Sequence, residues 1–494
     1  MYNAVAMERD LNIGSWIRDR AAESPQKLAL ADAQTGERWS YAVLNKTANR
    51  CAASLQHAGL RAGDRIAVAL QSEPIYLALY FAAAKLGAIF LPLNSRLTAS
   101  ELGFQLADAE AKLVLTDPDI PVGPTPGTHA LGIEEFRAAL PDFAPEPKLA
   151  AGGDAPQVIM YTSGTTGVPK GAVLPHRKTR ANSENAVAYF GLGPDDCVVV
   201  PVPLFHSYGL KILSVPALFA GASVVLVRQF DPVGLQRTVR DFAGSVLGAV
   251  PVMYRRMLQA GVDRAALASL RFGFSAGAPL DPETVRAFAG EQLALRQGFG
   301  QTETSILCAM DHNEDALAKL GSVGRPVGNC ELRITDETGR TQPAGITGEI
   351  LVRGPIVMLG YWKRPQETLE SRKDGWHRTG DLARMDSRGF VTLVGRRKEL
   401  YISGGENVYP AEVENVLLEH PNVADCAVVG VADPEWGEVG CAYIVPRALP
   451  LETAQLLDWT RERLARFKCP RQFVTVQELP RTASGKVQKH LLGR

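Results

Sequence analysis

No stretch of about 18 uncharged apolar residues occurs in this sequence of 494 residues, so no segment reads as a membrane-spanning helix. The nearest approach, Leu77 to Leu93, is broken by Lys85, Gly87 and Pro92, and reads as a buried helix followed by a strand. The N-terminal MYNAVAMERDLNIGSW has acidic residues where a signal peptide has its apolar core. An excess of charge is also lacking: 53 Lys and Arg balance 53 Asp and Glu, so no general electrostatic case for nucleic acid exists. Cysteine is sparse. The seven residues, at 51, 197, 308, 330, 426, 441 and 469, are odd in number and free of C-x-x-C spacing. That argues against a disulfide framework or a structural zinc and fits a reducing cytoplasm. What is present is 46% apolar residues, enough for a sizeable interior, and a length that calls for at least two domains.

From about Asn12 to Asp117, helical stretches such as Tyr41–His57 alternate with short apolar strands, Ile66–Leu70, Ala88–Leu93 and Lys112–Thr116. That alternation predicts an α/β architecture with largely buried sheets. Pro118–Pro147 is rich in Pro and Gly and reads as a meandering connection; a second α/β stretch runs from Arg180 to about Gly300. Between Leu332 and Gly395 the pattern turns strand-rich, with Glu331–Ile334, Glu349–Val352 and Phe390–Leu393, which predicts a small antiparallel subdomain. Beyond the charge-dense GRRKEL, about 95 residues are enough for an independent α+β unit. Its predicted elements are helix Pro410–Glu419 and strands Asp425–Val431 and Cys441–Val445. The expected organisation is a large N-terminal domain, residues 1–397, and a small mobile C-terminal domain, residues 398–494.

The most informative stretch is Tyr161 to Gly171, YTSGTTGVPKG, after the apolar run Val158-Ile159-Met160. It leaves the end of a predicted strand, where loops present ligand-binding groups. Glycines 164, 167 and 171 let backbone N–H groups turn toward one point, a concavity that suits phosphate oxygens. Thr162, Ser163, Thr165 and Thr166 add hydroxyl donors and Lys170 a positive charge. The spacing is not that of the common G-x-x-x-x-G-K-[ST] nucleotide loop. A flexible polar surface loop is the alternative from composition alone.

Three further segments carry chemistry-bearing residues. In Gln297 to Thr304, QGFGQTET, Phe299 can cover a face of an adenine ring, Thr302 can reach a phosphate, and Glu303 can hold Mg²⁺, which prefers oxygen ligands. Alone, the same string also reads as a strand end followed by a helix capped by Thr302 or Thr304. In WHRTGDL, residues 376–382, Asp381 can accept hydrogen bonds from both ribose hydroxyls, and Arg396 of GRRKE can add a complementary donor. Taken singly, the first also fits a turn and the second a solvated surface charge. In LPRTASGKVQK, residues 479–489, Lys486 lies in a predicted exposed loop, from which an ammonium can neutralise charge as pyrophosphate departs.

In this order the segments resemble the signatures of the adenylate-forming superfamily, which holds acyl- and aryl-CoA synthetases, peptide-synthetase adenylation domains and beetle luciferases. The resemblance covers essentially the whole chain. It implies ATP binding through Thr162, Ser163, Gly164, Thr165, Thr166, Gly167, Lys170, Phe299, Thr302, Asp381 and Arg396, with Mg²⁺ on Glu303. Phe299 stands where the family usually has tyrosine, which keeps the stacking and loses any contact from a phenol oxygen. VPLFHSYG, residues 202–209, is similar to the acyl-pocket motif, implying roles for His206, Tyr208 and Leu210. SAGAPL, residues 275–280, is similar to the turn lining the adenine and acyl sites, with Gly277, Ala278 and Pro279 on the nucleotide and Ser275 with Gly298 on the acyl group. SGGENVYPAEVE, residues 403–414, resembles the segment that meets the pantetheine arm of CoA through Ser403, Gly404 and Gly405.

The implied activity is a two-step acid–CoA ligase with ATP, Mg²⁺ and CoA, cytoplasmic, acting as a monomer or homodimer. A carboxylate forms an acyl-adenylate with the help of Glu303, His206 and Lys486; the C-terminal domain then swings about a hinge at Lys398 and the thiol takes the acyl group. GLKILSV after Tyr208 favours an apolar acid, fatty or aromatic, while Arg271 could pair with a second carboxylate. Transfer to an acceptor other than CoA and a catalytically silent nucleotide-binding regulatory protein are the alternatives.

Overall fold

The computed structural model describes residues 12–150, 152–162, 168–310, 312–403, 406–447, 451–482 and 486–492. The chain forms two compact units: Met1–Glu331 with Val352–His377, and Leu332–Leu351 with Arg378–Arg494. None of the described helices is long and apolar enough to cross a membrane.

The first unit is α/β and holds two large sheets. One runs in the order Arg325–Pro326, Ser305–Ala309, Leu295–Gln301, Phe272–Ser275, Val246–Ala249, Cys197–Val200, Ser223–Leu226, Leu28–Asp32, Arg38–Ser40. Its central strands pair in parallel and are buried along their whole length. Runs such as CVVV and SVVL suit that position, because a parallel strand covered on both faces needs no polar side. Residues 202–209 and 276–280 leave the C-terminal ends of two of these strands, the edge at which open α/β sheets bind ligands.

The second sheet runs Gly360–Tyr361, Lys170–Pro175, Pro156–Thr162, Ile89–Pro92, Arg65–Ala69, Leu113–Thr116, His129–Gly132. Helix Pro74–Leu86 is buried at every position, with Pro at its first residue and Gly87 in the left-handed conformation just past its end. Lys85 is its one charged residue, buried and paired with Glu146 at 2.6 Å, so the helix has no face to offer water; burying a side chain such as Leu77 or Phe81 is worth about 1.5–3 kcal/mol. Helix Tyr41–His57 has the predicted bounds and is capped by the Ser40 side chain, which accepts from Val43 N. The segment expected to be a bare connection, Pro118–Pro147, instead contains strand His129–Gly132 and helix Ile133–Ala138. That strand lies at a sheet edge and is mostly exposed, so it carries no apolar run to mark it.

The second unit contains strands Val391–Arg396 and most of Gly348–Arg353 and Trp376–Met385. Its C-terminal part is α+β. Strands Val423–Asp433 and Gly437–Pro446 form a long hairpin flanked by Tyr401–Ser403 and Gln472–Thr475. Val413 and Leu417 of helix Pro410–Leu418 and Leu456 of helix Thr453–Arg463 join Tyr401, Val428 and Ile444 in one core.

Candidate active site

The strand Pro156–Thr162 turns back on Lys170–Pro175, with Thr162 opposite Lys170 in the antiparallel register. Ser163, Gly164, Thr165, Thr166 and Gly167, which separate the two strands in the chain, lie outside the described residues. Thr162 Oγ1 lies 3.3 Å from Glu303 Oε1, and the Tyr361 hydroxyl donates to the same oxygen at 3.0 Å. Lys170 Nζ is 4.0 Å from Glu367 and sits over the Tyr361 ring at 5.6 Å. Two hydroxyls thus meet on the Glu303 carboxylate, and the Lys170 ammonium lies over the ring that carries one of them.

Glu303 occupies a tight turn, not the start of a helix. Strand Leu295–Gln301 reverses directly into Ser305–Ala309, and Thr304 N donates to Gln301 O at 3.2 Å. A Cβ on Gly300 would fall 1.9 Å from Ser305 O, so only glycine allows this reversal. Ser305 itself has φ of +61°, in the region that a residue with a Cβ rarely adopts. Phe299 and Thr302 are half-buried on this turn.

The acyl-motif residues gather at the strand ends. The His206 ring lies against Phe205, tilted by 58° with ring centres 4.6 Å apart, and Leu210 is buried. Tyr208 opens a π-helical turn, Tyr208–Ser214, of the kind often found at functional sites. Its hydroxyl donates to Phe274 O at 2.7 Å and lies 3.3 Å from Ala249 O; burial raises its pKa well above the usual tyrosine value. Ser275 Oγ is fully buried and has no hydrogen-bond partner among the described residues. Gly277, Ala278 and Pro279 follow it in a partly exposed turn with Gly277 at φ of +89°. Gly298 is buried against Phe274.

In the second unit Asp381 and Arg396 are register partners on adjacent strands. Arg396 Nε donates to Asp381 Oδ1 at 3.0 Å, the carboxylate buried and the guanidinium half exposed. Ser403 is buried at the end of its strand, Gly404 and Gly405 lie outside the described residues, and Lys486 is exposed.

A family model described as AMP-binding enzyme matches residues 17–362, and one described as AMP-binding enzyme C-terminal domain matches residues 412–486. The chain belongs to the AMP-binding enzyme family. It is 38% identical to a feruloyl-CoA synthase of Amycolatopsis over 97% of its length and 98% of the relative's. It is 34% identical to a long-chain-fatty-acid–CoA ligase of Mycobacterium tuberculosis, over 97% and 98%. Among solved structures it is similar to o-succinylbenzoate CoA synthetase of Bacillus subtilis in complex with its acyl-adenylate intermediate, with TM-score 0.89, 31% identity and coverage of 97% and 98%. It is an ATP-dependent, AMP-forming acid–CoA ligase of the acyl- and aryl-CoA synthetase branch, and its reaction takes ATP, Mg²⁺ and CoA.

Three side chains of this AMP-binding enzyme escaped the sequence reading. Tyr361 reaches Glu303 because Gly360–Tyr361 pairs with the strand Lys170–Pro175, Tyr361 opposite Ala172. Lys178 is buried and donates to Ser305 Oγ. Burial pushes its pKa down to about 7, against the pull of the Glu303 carboxylate and with the push of Arg177. Lys211, also buried, donates to Tyr80 Oη at 3.1 Å, to Gln157 Oε1 at 3.0 Å and to Thr179; burial and Lys178 hold its pKa well below the usual lysine value. A lysine amid apolar neighbours gives no sequence sign of which way it turns. The GYW string at Gly360 was the one available signal for Tyr361.

Proposed function

We propose that this ligase activates an apolar carboxylic acid, fatty or aromatic. One observation carries the choice: Lys211 of the GLKILSV run and Arg271, the cation considered for a second carboxylate, are both engaged elsewhere. Lys211 turns to Tyr80, Gln157 and Thr179. Arg271 precedes its strand, at the end away from Ser275, and is tied to Asp196 at 3.0 Å and to Phe190 O at 3.0 Å, which leaves no support for a second substrate carboxylate. Tyr208, Leu210, Phe274 and Gly298 gather aromatic, aliphatic and backbone atoms at these strand ends, a chemistry that suits an apolar ligand.

In the first step a carboxylate oxygen of the acid attacks the α-phosphorus of ATP, the bond to the β-phosphate oxygen breaks, and pyrophosphate leaves with the electron pair. The hairpin from Thr162 to Lys170 receives the phosphates, and Phe299 with the Gly277–Pro279 turn receives the adenine. Asp381 accepts from the ribose hydroxyls beside Arg396. His206 sits at the carboxylate, and Lys486 offsets the growing negative charge. Among the described residues no group of three His, Cys, Asp or Glu is placed to hold a metal. Glu303 with Thr162 is an all-oxygen set with a single carboxylate, which fits a Mg²⁺ ion that takes its other ligands from water and phosphate. Bound there, Mg²⁺ supplies positive charge to the phosphate oxygens.

Next, rotation about Lys398 withdraws Lys486 and brings Ser403, Gly404 and Gly405 to CoA. The thiol sulfur attacks the acyl carbonyl, AMP leaves, and the thiol proton passes to solvent. With a thiol pKa of about 8.5 a few per cent is thiolate at neutral pH, so the site needs no dedicated base. Seven free cysteines suit a reducing, cytoplasmic setting.

The test is release of AMP and pyrophosphate across fatty, aryl and dicarboxylic acids, with and without CoA. CoA-dependent turnover of a fatty or aryl acid is expected. Preference for a dicarboxylic acid contradicts the apolar assignment, adenylation without transfer to CoA points to another acceptor, and no adenylation points to a regulatory protein.

A further inference from the structure

The segment that carries Lys486 is fastened at both ends. Arg481 and Val487 form an antiparallel bridge, Thr482 N donates to Lys486 O at 2.7 Å, and Gln488 N donates to Pro480 O at 2.8 Å. On the entering side Arg481 forms an ion pair with Asp425 of the strand Val423–Asp433. On the leaving side Lys489 Nζ lies 2.7 Å from Glu414 Oε1 and 3.1 Å from Glu399 Oε2. Lys489 and Glu414 are mostly buried, with side-chain exposures of 17% and 16%, so this is a shielded cluster rather than a loose surface pair. Glu414 Oε1 also accepts from Val428 N at 2.7 Å, which ties helix, strand and hairpin together. Burial pulls the Lys489 ammonium toward deprotonation, but Glu414 and Glu399 outweigh it and raise its pKa, so the pair stays ionic.

Glu399 is the residue after Lys398. On the other side, Arg397 donates through its backbone to Gly380 O at 2.9 Å and through its side chain to Glu349 at 3.4 Å and Glu337 at 3.5 Å. Lys398 is exposed between these two tethered neighbours. One neighbour is held by the strands that precede it in the chain and the other by the hairpin that ends the chain.

We propose that Lys489 is a positioning residue for the adenylation step: by clamping Glu399 and Glu414 it makes the Lys486 hairpin and the chain beyond Lys398 one body, which fixes the pivot at Lys398 and the direction from which Lys486 arrives. This rests on Lys486 acting in adenylation. Lys489 touches no substrate; its effect passes through Lys486.

The test uses the full-length enzyme and compares Lys489→Ala, Lys489→Arg, Lys486→Ala and the double variant Lys486→Ala/Lys489→Ala. ATP–pyrophosphate exchange reads the first half-reaction, thioester formation from preformed acyl-adenylate the second. Lys489→Ala is expected to lower kcat for adenylation by about 10- to 100-fold, the scale of misplacing a reacting group by an ångström. The KM for ATP and the second half-reaction are expected to stay within about twofold, and Lys489→Arg to restore most of the loss. In the Lys486→Ala background Lys489→Ala should cost nothing more, because the group it positions is gone. Equal loss in both half-reactions, or full additivity with Lys486→Ala, makes the clamp merely structural and overturns the proposal. Normal adenylation by Lys489→Ala beside a disabled Lys486→Ala overturns the role of Lys489 alone; undiminished adenylation by Lys486→Ala overturns both roles. If Lys489→Ala does not fold, Glu399→Gln, which keeps the Glu414 pair, carries the same comparison.

Discussion

Thr162 Oγ1 and Glu303 Oε1 lie 3.3 Å apart although 141 residues of chain separate them. Tyr361 donates to the same oxygen, so both hydroxyls fix one side of the carboxylate beside the strands Pro156–Thr162 and Lys170–Pro175. Glu303→Gln keeps the shape and removes the charge, and is expected to slow adenylation by about 10²–10³ and raise the Mg²⁺ concentration needed for half-maximal rate. Thr162→Val, which removes one hydrogen bond to a charged group, should cost about tenfold. Pyrophosphate exchange titrated with Mg²⁺ checks both; an unchanged Mg²⁺ dependence in Glu303→Gln would mean another group holds the cation.

Asp381 is buried and pairs with a half-exposed Arg396, so the two should contribute unequally. Asp381→Asn removes the charge and puts a donor in place of one of the two oxygens proposed to accept from the ribose, and is expected to raise the KM for ATP by about tenfold and to reduce any preference for ATP over 2′-deoxy-ATP. Arg396→Ala breaks a pair screened by water and should have a smaller effect, about threefold. Steady-state kinetics with both nucleotides separates the roles. Undiminished discrimination in Asp381→Asn would remove Asp381 from the ribose site.

Asp381 and Arg396 were paired in the sequence only through the resemblance of WHRTGDL and GRRKE to family motifs, and the structure sets them side by side on adjacent strands. Strand and helix cores such as Tyr41–His57 and Val423–Asp433 were legible because apolar patterning within one segment determines them. The turn at Glu303 was not, since its tightness depends on Gly300 meeting Ser305 O across a hairpin. Tyr361 and Lys178 were illegible for a related reason. Each reaches the site through a contact with a distant strand, and composition around them says nothing about that partner.

Gly298, proposed to line the acyl pocket, has no room for a side chain. A Cβ there would lie 2.5 Å from Phe274 Cζ and 3.2 Å from Cys308 O. The Phe274 ring is itself packed against Phe190 at 4.5 Å and Tyr208 at 6.0 Å, so it has little room to retreat. Gly298→Ala should cost about 1–3 kcal/mol of stability by overpacking. It should also lower kcat/KM for the acid by about tenfold while leaving the KM for ATP unchanged. Equal effects on acid and ATP would place Gly298 outside the acyl pocket.

Lys178 makes stability depend on pH in a direction opposite to that of an ion-paired lysine, whose pKa is raised. Its pKa is about 7 in the folded protein against 10.5 for an ordinary lysine, chiefly because burial disfavours the ammonium. Below about pH 7 both states carry the proton and the full cost of burying the charge is felt. Between that point and the ordinary value the unfolded chain binds the extra proton, so this residue's contribution to stability rises with pH, by at most about 1.4 kcal/mol per unit. Lys178→Met removes the titrating group while keeping an unbranched apolar stem. Urea unfolding of both proteins between about pH 6.5 and 8.5 should show the difference moving steadily in favour of the wild type as pH rises. A difference independent of pH would mean that the amine holds the same charge in both states across this range. The variant should also adenylate more slowly, since Ser305, two residues beyond Glu303, loses the donor that holds its hydroxyl.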